Sequence, residues 1–305
     1  EIISDSILYL KNEEIIKTSG NSKVINAEVT IDGENFEYDK ISNILNVKKK
    51  VKIFDKVENI SIFSEDITYK QNEELIFSKG KTISEIKKKY NFASEDVLFS
   101  RNKMILSSEK KTKIEDNNKN HYLLDKFNYS IKDKKLKGEN ILVITNFNLP
   151  KSDKLFFKNG FFNLETKEYL ASDTKIELHP DLFGKKDNNP RIYGISSNSK
   201  KGVTSIKKAT FTSCKFREDD CPPWSINAKE IKHDKNKKQL IYDSAILKVY
   251  DVPILYFPKF FHPDPSVERQ SGFLKPQINN SNELGDSLHV PYFYVISENK
   301  DITFK

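Results

Sequence analysis

Three similar stretches of sequence decide the fold: "SDSILYLKNEEI" (residues 4–15), "SEDITYKQNEEL" (64–75) and "SEDVLFSRNKMI" (94–105). Two weaker copies complete the series, "GENFEYDKISNI" (33–44) and "LDKFNYSIKDKKL" (124–136). Self-similarity at a fixed period is typical of stacked structural repeats, in which each unit buries an apolar face against its neighbours. The chain is therefore expected to be built from units of about 30 residues.

An aromatic residue stands at the same place in every copy, and successive copies place it 29 to 31 residues apart. We call these residues the aromatic anchors. A sixth, degenerate copy is expected at "KNGFFNLETKEYLASDTKIEL" (158–178). The five anchors are Tyr9, Tyr38, Tyr69, Phe99 and Tyr129.

An apolar residue precedes each anchor by two positions, and alternate residues of a β-strand point to the same face. A polar turn and a second apolar run follow, so each repeat contains about two short strands. The sequence predicts an all-β chain, with an elongated β-sandwich, jellyroll or solenoid from residue 1 to about 210. The apolar partners of the anchors are Ile7, Phe36, Ile67, Val97 and Phe127.

The apolar stripe formed by these pairs has two interpretations. Buried aliphatic and aromatic residues at strand spacing usually fill a core. If the two layers of strands separate, the same stripe lines a groove for a long apolar ligand. The repeats alone leave both interpretations open, and the sequence downstream favours the groove.

The composition points to no catalytic or nucleic-acid-binding chemistry. The net charge of +7 comes from lysines spread along the chain, a pattern typical of a solvated surface, and no nucleic-acid-binding motif accompanies it. The five histidines are scattered, and Asp264 and Glu268 are expected to form turns. No apolar run approaches the 18 or so residues of a membrane-spanning helix. A transmembrane barrel would show only weak alternating segments.

The two cysteines, Cys214 and Cys221, lie close together in "TSCKFREDDCPPW" (212–224). Their spacing suits a small disulfide loop in an oxidising compartment. Separate bonds to partners beyond residue 305, or two free thiols, are the alternatives, and the spacing does not separate them.

Prolines are concentrated in "VPILYFPKFFHPDPSVERQSGFLKP" (252–276), which contains five of the eleven in the chain, whereas residues 1–149 contain none. Proline cannot donate a hydrogen bond to a β ladder. This stretch is therefore either a loop or strand-like chain with weakened pairing.

Several motifs between Ala209 and Thr303 resemble the LPS-assembly outer-membrane protein, the LptD (OstA/Imp) family. The preceding 200 residues resemble the periplasmic jellyroll of this family by their repeat pattern only. The motifs are "TSC" (212–214), "PPW" (222–224), "INAKEI" (226–231), "VPILYFPKF" (252–260), "RQSGFLKP" (269–276) and "VPYFYVISENKDIT" (290–303).

The resemblance implies a periplasmic OstA-type β-jellyroll at residues 1–245 and the start of an outer-membrane β-barrel at 246–305. Because the chain ends within an alternating pattern, we expect the barrel to be truncated. The implied function is transport: lipopolysaccharide arrives from a periplasmic LptA-type bridge protein, passes along the jellyroll interior and leaves through a lateral gate of the barrel. An LptE-type plug lipoprotein is the implied partner, and no enzyme activity or cofactor is implied.

The resemblance also assigns roles to residues. The anchors and their apolar partners become candidates for the lipid-binding groove, and the strand near Ile7–Leu10 becomes the docking edge for the bridge. The prolines Pro253, Pro258 and Pro263 would weaken the seam through which lipid leaves the barrel, or would shape an elbow between the domains. Cys214 matches a family cysteine that forms a disulfide with a cysteine late in the barrel. Cys221 is either the neighbour of Cys214 in that arrangement or its local disulfide partner.

Two rival functions remain at this point. A soluble periplasmic bridge protein would share the jellyroll but lack "RQSGFLKP". A carbohydrate-active enzyme on a β-solenoid would need acids clustered on one sheet face, and an acid does precede each anchor by four positions. These acids are Asp5, Glu34, Glu65, Glu95 and Asp125.

Overall fold

The computed structural model describes residues 1–147, 152–179, 189–215, 222–263, 267, 271–274, 277–281, 285–297 and 299–305. These residues form 28 β-strands and one 3₁₀ turn, Gln71–Glu73. The prediction of an all-β, jellyroll-like chain is confirmed. In the part of the chain that the structure describes, no helix is long and apolar enough to cross a membrane.

The strands follow one another along the chain with short turns between them. The first nine are β1 Ile2–Ile3, β2 Ser6–Leu10, β3 Ile15–Ser19, β4 Ser22–Ile25, β5 Val29–Gly33, β6 Asn35–Asp39, β7 Ile44–Asp55, β8 Ile60–Lys70 and β9 Leu75–Ile86. The next nine are β10 Tyr90–Glu95, β11 Leu98–Ser100, β12 Ile105–Ser108, β13 Thr112–Asp116, β14 His121–Leu124, β15 Lys126–Ser130, β16 Lys135–Ile144, β17 Lys154–Asn163 and β18 Tyr169–Glu177. The remaining ten are β19 Arg191–Lys200, β20 Val203–Thr212, β21 Trp224–Asp234, β22 Gln239–Val249, β23 Val252–Pro263, β24 Gly272–Phe273, β25 Gln277–Ser281, β26 Gly285–His289, β27 Tyr292–Ser297 and β28 Lys300–Phe304.

Many strands are twice as long as the five or six residues predicted, because each long strand pairs in two halves. In β7 the first half pairs with β6 and the second half with β5, and the register shifts between Lys48 and Val51. The two residues between them, Lys49 and Lys50, have positive φ angles of 64° and 48°. Gly80 divides β9 in the same way, with φ of 78°. An extra residue of this kind bends a strand and increases its twist.

The bends divide the antiparallel ladder into two sheets that face each other. We call the sheet that contains the anchors the anchor sheet; it consists of β2, β3, β6, β11, β12, β15 and the adjoining halves of the long strands. The facing sheet consists of β1, β4, β5, β10, β13, β14 and the other halves. At the edge opposite the bends, turns connect the strands of each sheet. We call the gap between the two sets of turns the mouth.

The aromatic anchors fall in one cross-strand row of the anchor sheet, where they alternate with aliphatic residues. The degenerate sixth copy is confirmed, because Phe162 continues this row. The seven residues of the row from Leu45 to Leu136 are all buried between the sheets. In strand order, the row is Tyr9, Ile16, Tyr38, Leu45, Tyr69, Ile76, Phe99, Leu106, Tyr129, Leu136, Phe162 and Tyr169.

A matching row on the facing sheet completes the core. Phe92 in this row is fully buried, and its ring centroid lies 5.3 Å from those of both Phe127 and Tyr129 on the anchor sheet. Each sheet thus supplies half of a continuous apolar interior. The row runs Ile31, Ile53, Ile62, Ser84, Phe92, Ile114, Tyr122, Val143, Leu155, Ile176 and Ile192.

The turns of the anchor sheet repeat as regularly as its core. Five residues after each of the six aromatic residues, the backbone adopts a left-handed conformation with φ between 53° and 60°. The carbonyl group of that residue then often accepts a hydrogen bond from the next turn, as from Arg101 to Glu74 at 2.9 Å. Stacked turns therefore fix the register at the mouth. The left-handed residues are Glu14, Asn43, Glu74, Met104, Lys134 and Lys167.

The last jellyroll strands continue the same ladder without a break. Strand β22 pairs with β21 and with β23, and the boundary predicted after residue 245 falls within β22. Beyond β23, the described residues form a sheet of β24, β27 and β28 and a hairpin of β25 and β26. The division into a jellyroll and a barrel stays a prediction.

Replacing Phe99 by Ala should cost about 3–5 kcal/mol of unfolding free energy, because it leaves a cavity in the middle of the buried row. Its neighbour Leu98 points outward and is 38% exposed, whereas Phe99 is 1% exposed. Leu98→Ala is therefore the matched control and should cost less than about 1 kcal/mol. Urea unfolding of both variants measures the difference. Equal losses would contradict the assignment of the inward face.

Candidate functional site

The core opens into a cavity where the anchor row loses its large side chains. Beyond Tyr169, the next residues in the row are Ser199, Thr204 and His233. The result is a cavity of about 620 Å³ between the two sheets. Pockets that bind small molecules span about 300–1,000 Å³.

The wall of this cavity is mostly apolar. Phe157, Phe162 and Tyr169 form one aromatic group, with ring centroids 5.2 to 5.6 Å apart. Leu155 and Ile176, on the facing sheet, also line the cavity. Leu155 packs against both of the hydrophobic clusters into which the jellyroll core divides, so the cavity lies at their junction.

The rim of the cavity is basic. Lys167, Lys235, Lys238 and His233 lie on the side formed by the anchor sheet and its turns, and Asp153 lies on the other side. The spacing of the turns explains this, because Lys238 follows His233 by five residues and has the left-handed φ of 51° found after the anchors. An apolar interior below a cationic rim suits a ligand with apolar chains and an anionic head group.

Two aspartates have opposite pKa shifts: the half-buried Asp153 at the rim, and the buried Asp116 behind the rim residue Lys167. Burial would raise the pKa of Asp116, but the hydrogen bonds that it accepts from Lys167 and Asn120 outweigh burial and the pKa is lowered. Burial raises the pKa of Asp153, against a smaller opposing contribution from the backbone N–H of His179, which donates to it at 3.1 Å. The surroundings therefore favour the charged form of Asp116 and disfavour the charged form of Asp153.

The predicted groove residues lie upstream of this cavity. Tyr38 is half-buried, and Ile7 and Tyr9, in the first repeat, are 52% and 44% exposed. Their role in lipid binding stays a prediction. The other seven are at most 3% exposed between the sheets: Phe36, Ile67, Tyr69, Val97, Phe99, Phe127 and Tyr129.

The prolines predicted at the gate lie on β23, which pairs with β22. Pro253 pairs with Lys248 beside a register shift, and Pro263 pairs with Gln239 at the end of the strand. Pro258 lies opposite Ser244, which has a positive φ of 51° at the bend between the two sheets. These positions match the tolerance of proline for bulges and strand ends. The gate function stays a prediction.

Cys214 is half-buried, and its thiol donates to the carbonyl oxygen of Trp224 at 3.8 Å. Cys221 lies outside the described residues. The predicted disulfides of both cysteines, local or with partners beyond residue 305, stay predictions.

The repeated acids lie at the bends rather than on a sheet face. Asp5, Glu34 and Asp125 each stand between a strand of the facing sheet and the next strand of the anchor sheet. Glu34 forms an ion pair with Lys50 at 3.0 Å, and Asp125 accepts a hydrogen bond from Asn140 at 2.7 Å. These two contacts stabilise the change of direction. Among the described residues, no group of three or more His, Cys, Asp or Glu could bind a metal.

Comparison with known proteins supports the resemblance. No family model matches the chain. It is 31% identical over 144 residues to the LPS-assembly protein LptD of Hahella chejuensis, a match that covers 47% of this chain and 17% of that protein. The LptD of a Polaromonas species is 35% identical over 100 residues, 32% of this chain and 12% of that protein. The LptD of Idiomarina loihiensis is 26% identical over 155 residues, half of this chain and 20% of that protein.

The matches to these three relatives thus span between 12% and 20% of the relatives' length.

Sequence reasoning missed the cavity itself. The degenerate sixth repeat marked its position, but the loss of bulk at Ser199 and Thr204 became visible only when the strand register placed both residues in the anchor row.

Replacing Asp116 by Asn should lower the unfolding free energy at pH 7 by about 1–3 kcal/mol, because it removes the charged partner of Lys167 from a buried site. The folded-state pKa of Asp116 is lowered, so its stabilisation is complete above the unfolded value of about 3.9 and is lost as the pH falls through the folded value. The difference between the wild type and D116N should shrink when urea unfolding is measured below pH 4.

Asp153 provides the control of opposite sign. Because its folded-state pKa is raised, its ionisation destabilises the fold as the pH rises through the unfolded value towards the folded one. D153N should therefore gain stability relative to the wild type between pH 4 and neutrality. If both variants show the same pH dependence, the assignment of the two environments is wrong.

Proposed function

We propose that this chain, which carries an LptD-family N-terminal region, takes part in lipopolysaccharide transport and assembly at the outer membrane. Lipopolysaccharide enters from a periplasmic LptA-type bridge protein and passes along the jellyroll interior to a lateral gate. The jellyroll lies in the periplasm, and the segment that follows it begins a barrel in the outer membrane, associated with an LptE-type lipoprotein. The observation that carries the proposal is the apolar cavity with its basic rim between the two sheets.

The energetics of acyl chains explain why such an interior is needed. Each CH₂ group exposed to water costs roughly 0.8 kcal/mol, so a chain of about twelve such groups costs about 10 kcal/mol. The inward rows of the two sheets offer an apolar surface along the whole jellyroll. A chain that moves between such surfaces stays out of water throughout its transfer.

The basic rim supports binding of the anionic part of the same ligand. Lys235 and Lys238 line the opening, and both are exposed in the turn between β21 and β22. Phosphate groups form strong charge-assisted hydrogen bonds with such cations. Lipopolysaccharide combines acyl chains with phosphates, so its two parts match the interior and the rim.

The path upstream of the cavity requires movement. Seven of the ten predicted groove residues are buried in close contact between the sheets. An acyl chain can pass Tyr69 and Phe99 only if the sheets separate there. The jellyroll is therefore proposed to be closed when it is empty and to widen around the ligand.

The first two strands of the jellyroll each have an exposed edge, and this supports docking of the bridge protein. Strand β2 is paired on one side with β3, and β1 is paired with β4. Ile7, Leu8 and Tyr9 on β2 are 44 to 55% exposed. An exposed edge of this kind can add a strand from a partner.

The rival functions receive less support. A soluble bridge protein would not account for the matches to LptD, so this alternative function is not favoured. The enzyme hypothesis needs acids on one exposed sheet face, whereas the repeated acids stand at the bends. We therefore propose a conduit without catalytic activity.

Site-specific photocrosslinking tests the path. A photoreactive residue in place of Leu155, in the cavity wall, should form an energy-dependent adduct with lipopolysaccharide in cells that contain the complete protein. The same residue in place of Phe99 should do so if ligand also passes the closed upstream core. Leu170, which is 59% exposed on the outer face beside Tyr169, is the control and should give none. Absence of an adduct at Leu155 in a correctly folded protein would overturn the proposal.

Filling the cavity provides a second test. Thr204→Leu places a larger apolar side chain where the anchor row is small, so it should weaken binding of purified lipid A by about tenfold or more, which is about 1.4 kcal/mol. Thr68→Leu makes the same change on the outer face of the anchor sheet, beside the buried Tyr69, and should leave binding unchanged. Fluorescent lipid A titrated into both variants gives the comparison. Equal affinities would place the ligand outside the cavity.

A further inference from the structure

Arg101 forms a buried ionic cluster at the mouth, upstream of the cavity. Its side chain is 6% exposed, and its Nε donates to Asp55 Oδ2 at 2.8 Å. One terminal nitrogen donates to Glu28 Oε2 at 2.8 Å. The other donates to Glu74 Oε2 and to the hydroxyl oxygen of Tyr69, the latter at 3.3 Å. Four groups thus converge on one guanidinium.

The partners of Arg101 come from both sides of the mouth. Arg101 and Glu74 belong to neighbouring turns of the anchor sheet, whereas on the facing sheet Glu28 belongs to a turn and Asp55 ends β7. Asp55 is 1% exposed. Its carboxylate accepts hydrogen bonds from the backbone N–H groups of Val57 and the next residue in the chain, both at 3.0 Å. The pairs with Glu28 and Asp55 therefore join the two sheets across the opening.

We propose that the Arg101 cluster is a latch that closes the mouth over the upstream core, and that a phosphate group of the passing lipid opens it by binding Arg101 in place of Glu28. This inference rests on the proposed function for the identity of the ligand. The latch itself rests on the geometry of the cluster alone.

Exposure indicates which partner the phosphate replaces. The side chains of Glu28 and Glu74 are 59% and 40% exposed, whereas that of Asp55 is 2% exposed. A guanidinium binds phosphate in the same planar, two-pronged way as it binds carboxylate. An incoming phosphate therefore reaches Arg101 from solvent and exchanges with Glu28. Asp55 holds the guanidinium during the exchange, and the loss of Glu28 leaves it as the one remaining carboxylate of the facing sheet on Arg101, so closure is weakened.

The charge of Arg101 is constant in this exchange. Burial would lower its pKa, but the hydrogen bonds to Glu28 and Asp55 outweigh burial and the pKa is raised. The groups that face it are the three carboxyl groups and the Tyr69 hydroxyl, whose pKa is raised chiefly by burial. Competition between anions, rather than loss of a proton from Arg101, is therefore the opening step.

A second contact of the same kind lies at the edge of the cavity. Lys167, in an anchor-sheet turn, donates to the buried Asp116 of the facing sheet. The mouth is thus joined across at Arg101 and again at Lys167, and the cavity rim begins where the second contact ends.

Distance measurements across the mouth test the latch without any ligand. Nitroxide labels are attached at Val57→Cys and Lys103→Cys, which lie in exposed turns on opposite sides, in the complete 305-residue chain with Cys214 and Cys221 replaced by Ser. The unmodified latch should give one narrow distance distribution. Glu28→Gln, which removes the charge of an exposed ion-pair partner across the mouth, should raise the ratio of open to closed molecules by about fivefold, as expected for a loss of about 1 kcal/mol.

Glu74→Gln is the matched control, because it removes an ion pair of Arg101 on the same side of the mouth. It should leave the distance unchanged. Arg101→Gln should open the mouth further if it folds, and the exposed position of Glu28 keeps the test valid if it does not. An unchanged distance in Glu28→Gln, or equal widening in Glu74→Gln, would overturn the latch.

Ligand addition then tests the opening step. Doubly phosphorylated lipid A in detergent micelles should lengthen the distance between the labels, and dephosphorylated lipid A should not. Equal effects of both lipids would overturn the role of phosphate. The proposed function fails separately, if Leu155 forms no lipid adduct while Glu28→Gln still opens the mouth.

Discussion

Every strand that crosses the jellyroll must bend so that two apolar rows remain face to face, and the rest of the structure depends on this constraint. The bends at Lys49, Gly80 and Asn140 have positive φ angles. Because each bend falls at the same place in its repeat, the anchors of successive repeats stay in one row and the facing residues stay in another. A bend displaced by one residue would turn an entire half-strand over and expose its apolar side.

The repeat made much of this fold predictable. The spacing of two between Ile67 and Tyr69 placed both on one face, and their burial agrees with that placement. The spacing of about 30 predicted stacked units, and the register of the strands shows the anchors in a single row. The predicted strand length of five or six residues was wrong, because a bend leaves no break in the alternation of inward and outward residues. The sequence pattern predicts that a residue such as Lys49 is part of a regular strand, although its backbone is left-handed.

The ionic contacts across the mouth were beyond prediction for a different reason. Arg101 and Glu28 are 73 residues apart, and Arg101 and Asp55 are 46 apart. Neither separation follows from a periodicity of strands, because each contact joins a turn of the anchor sheet to the end of a strand or a turn of the facing sheet. Arg101 occupies the same position after its anchor as Lys40 does in an earlier repeat, and Lys40 pairs with Glu14 on its own sheet. The sequence context is similar, and only the folded turns decide the partner.

The two regions of the interior have complementary physical properties. Upstream, large side chains such as Phe92 and Tyr129 fill the space, so close packing stabilises the fold and leaves no room for a ligand. At the cavity, Ser199 and Thr204 give up that packing, and a basic rim stands above the opening. The proposed conduit needs both properties. A uniformly filled jellyroll would admit no acyl chain, and a uniformly open one would expose its apolar rows to water along its whole length. Closure by ionic contacts upstream and an open cavity downstream satisfy both requirements in one ladder of strands.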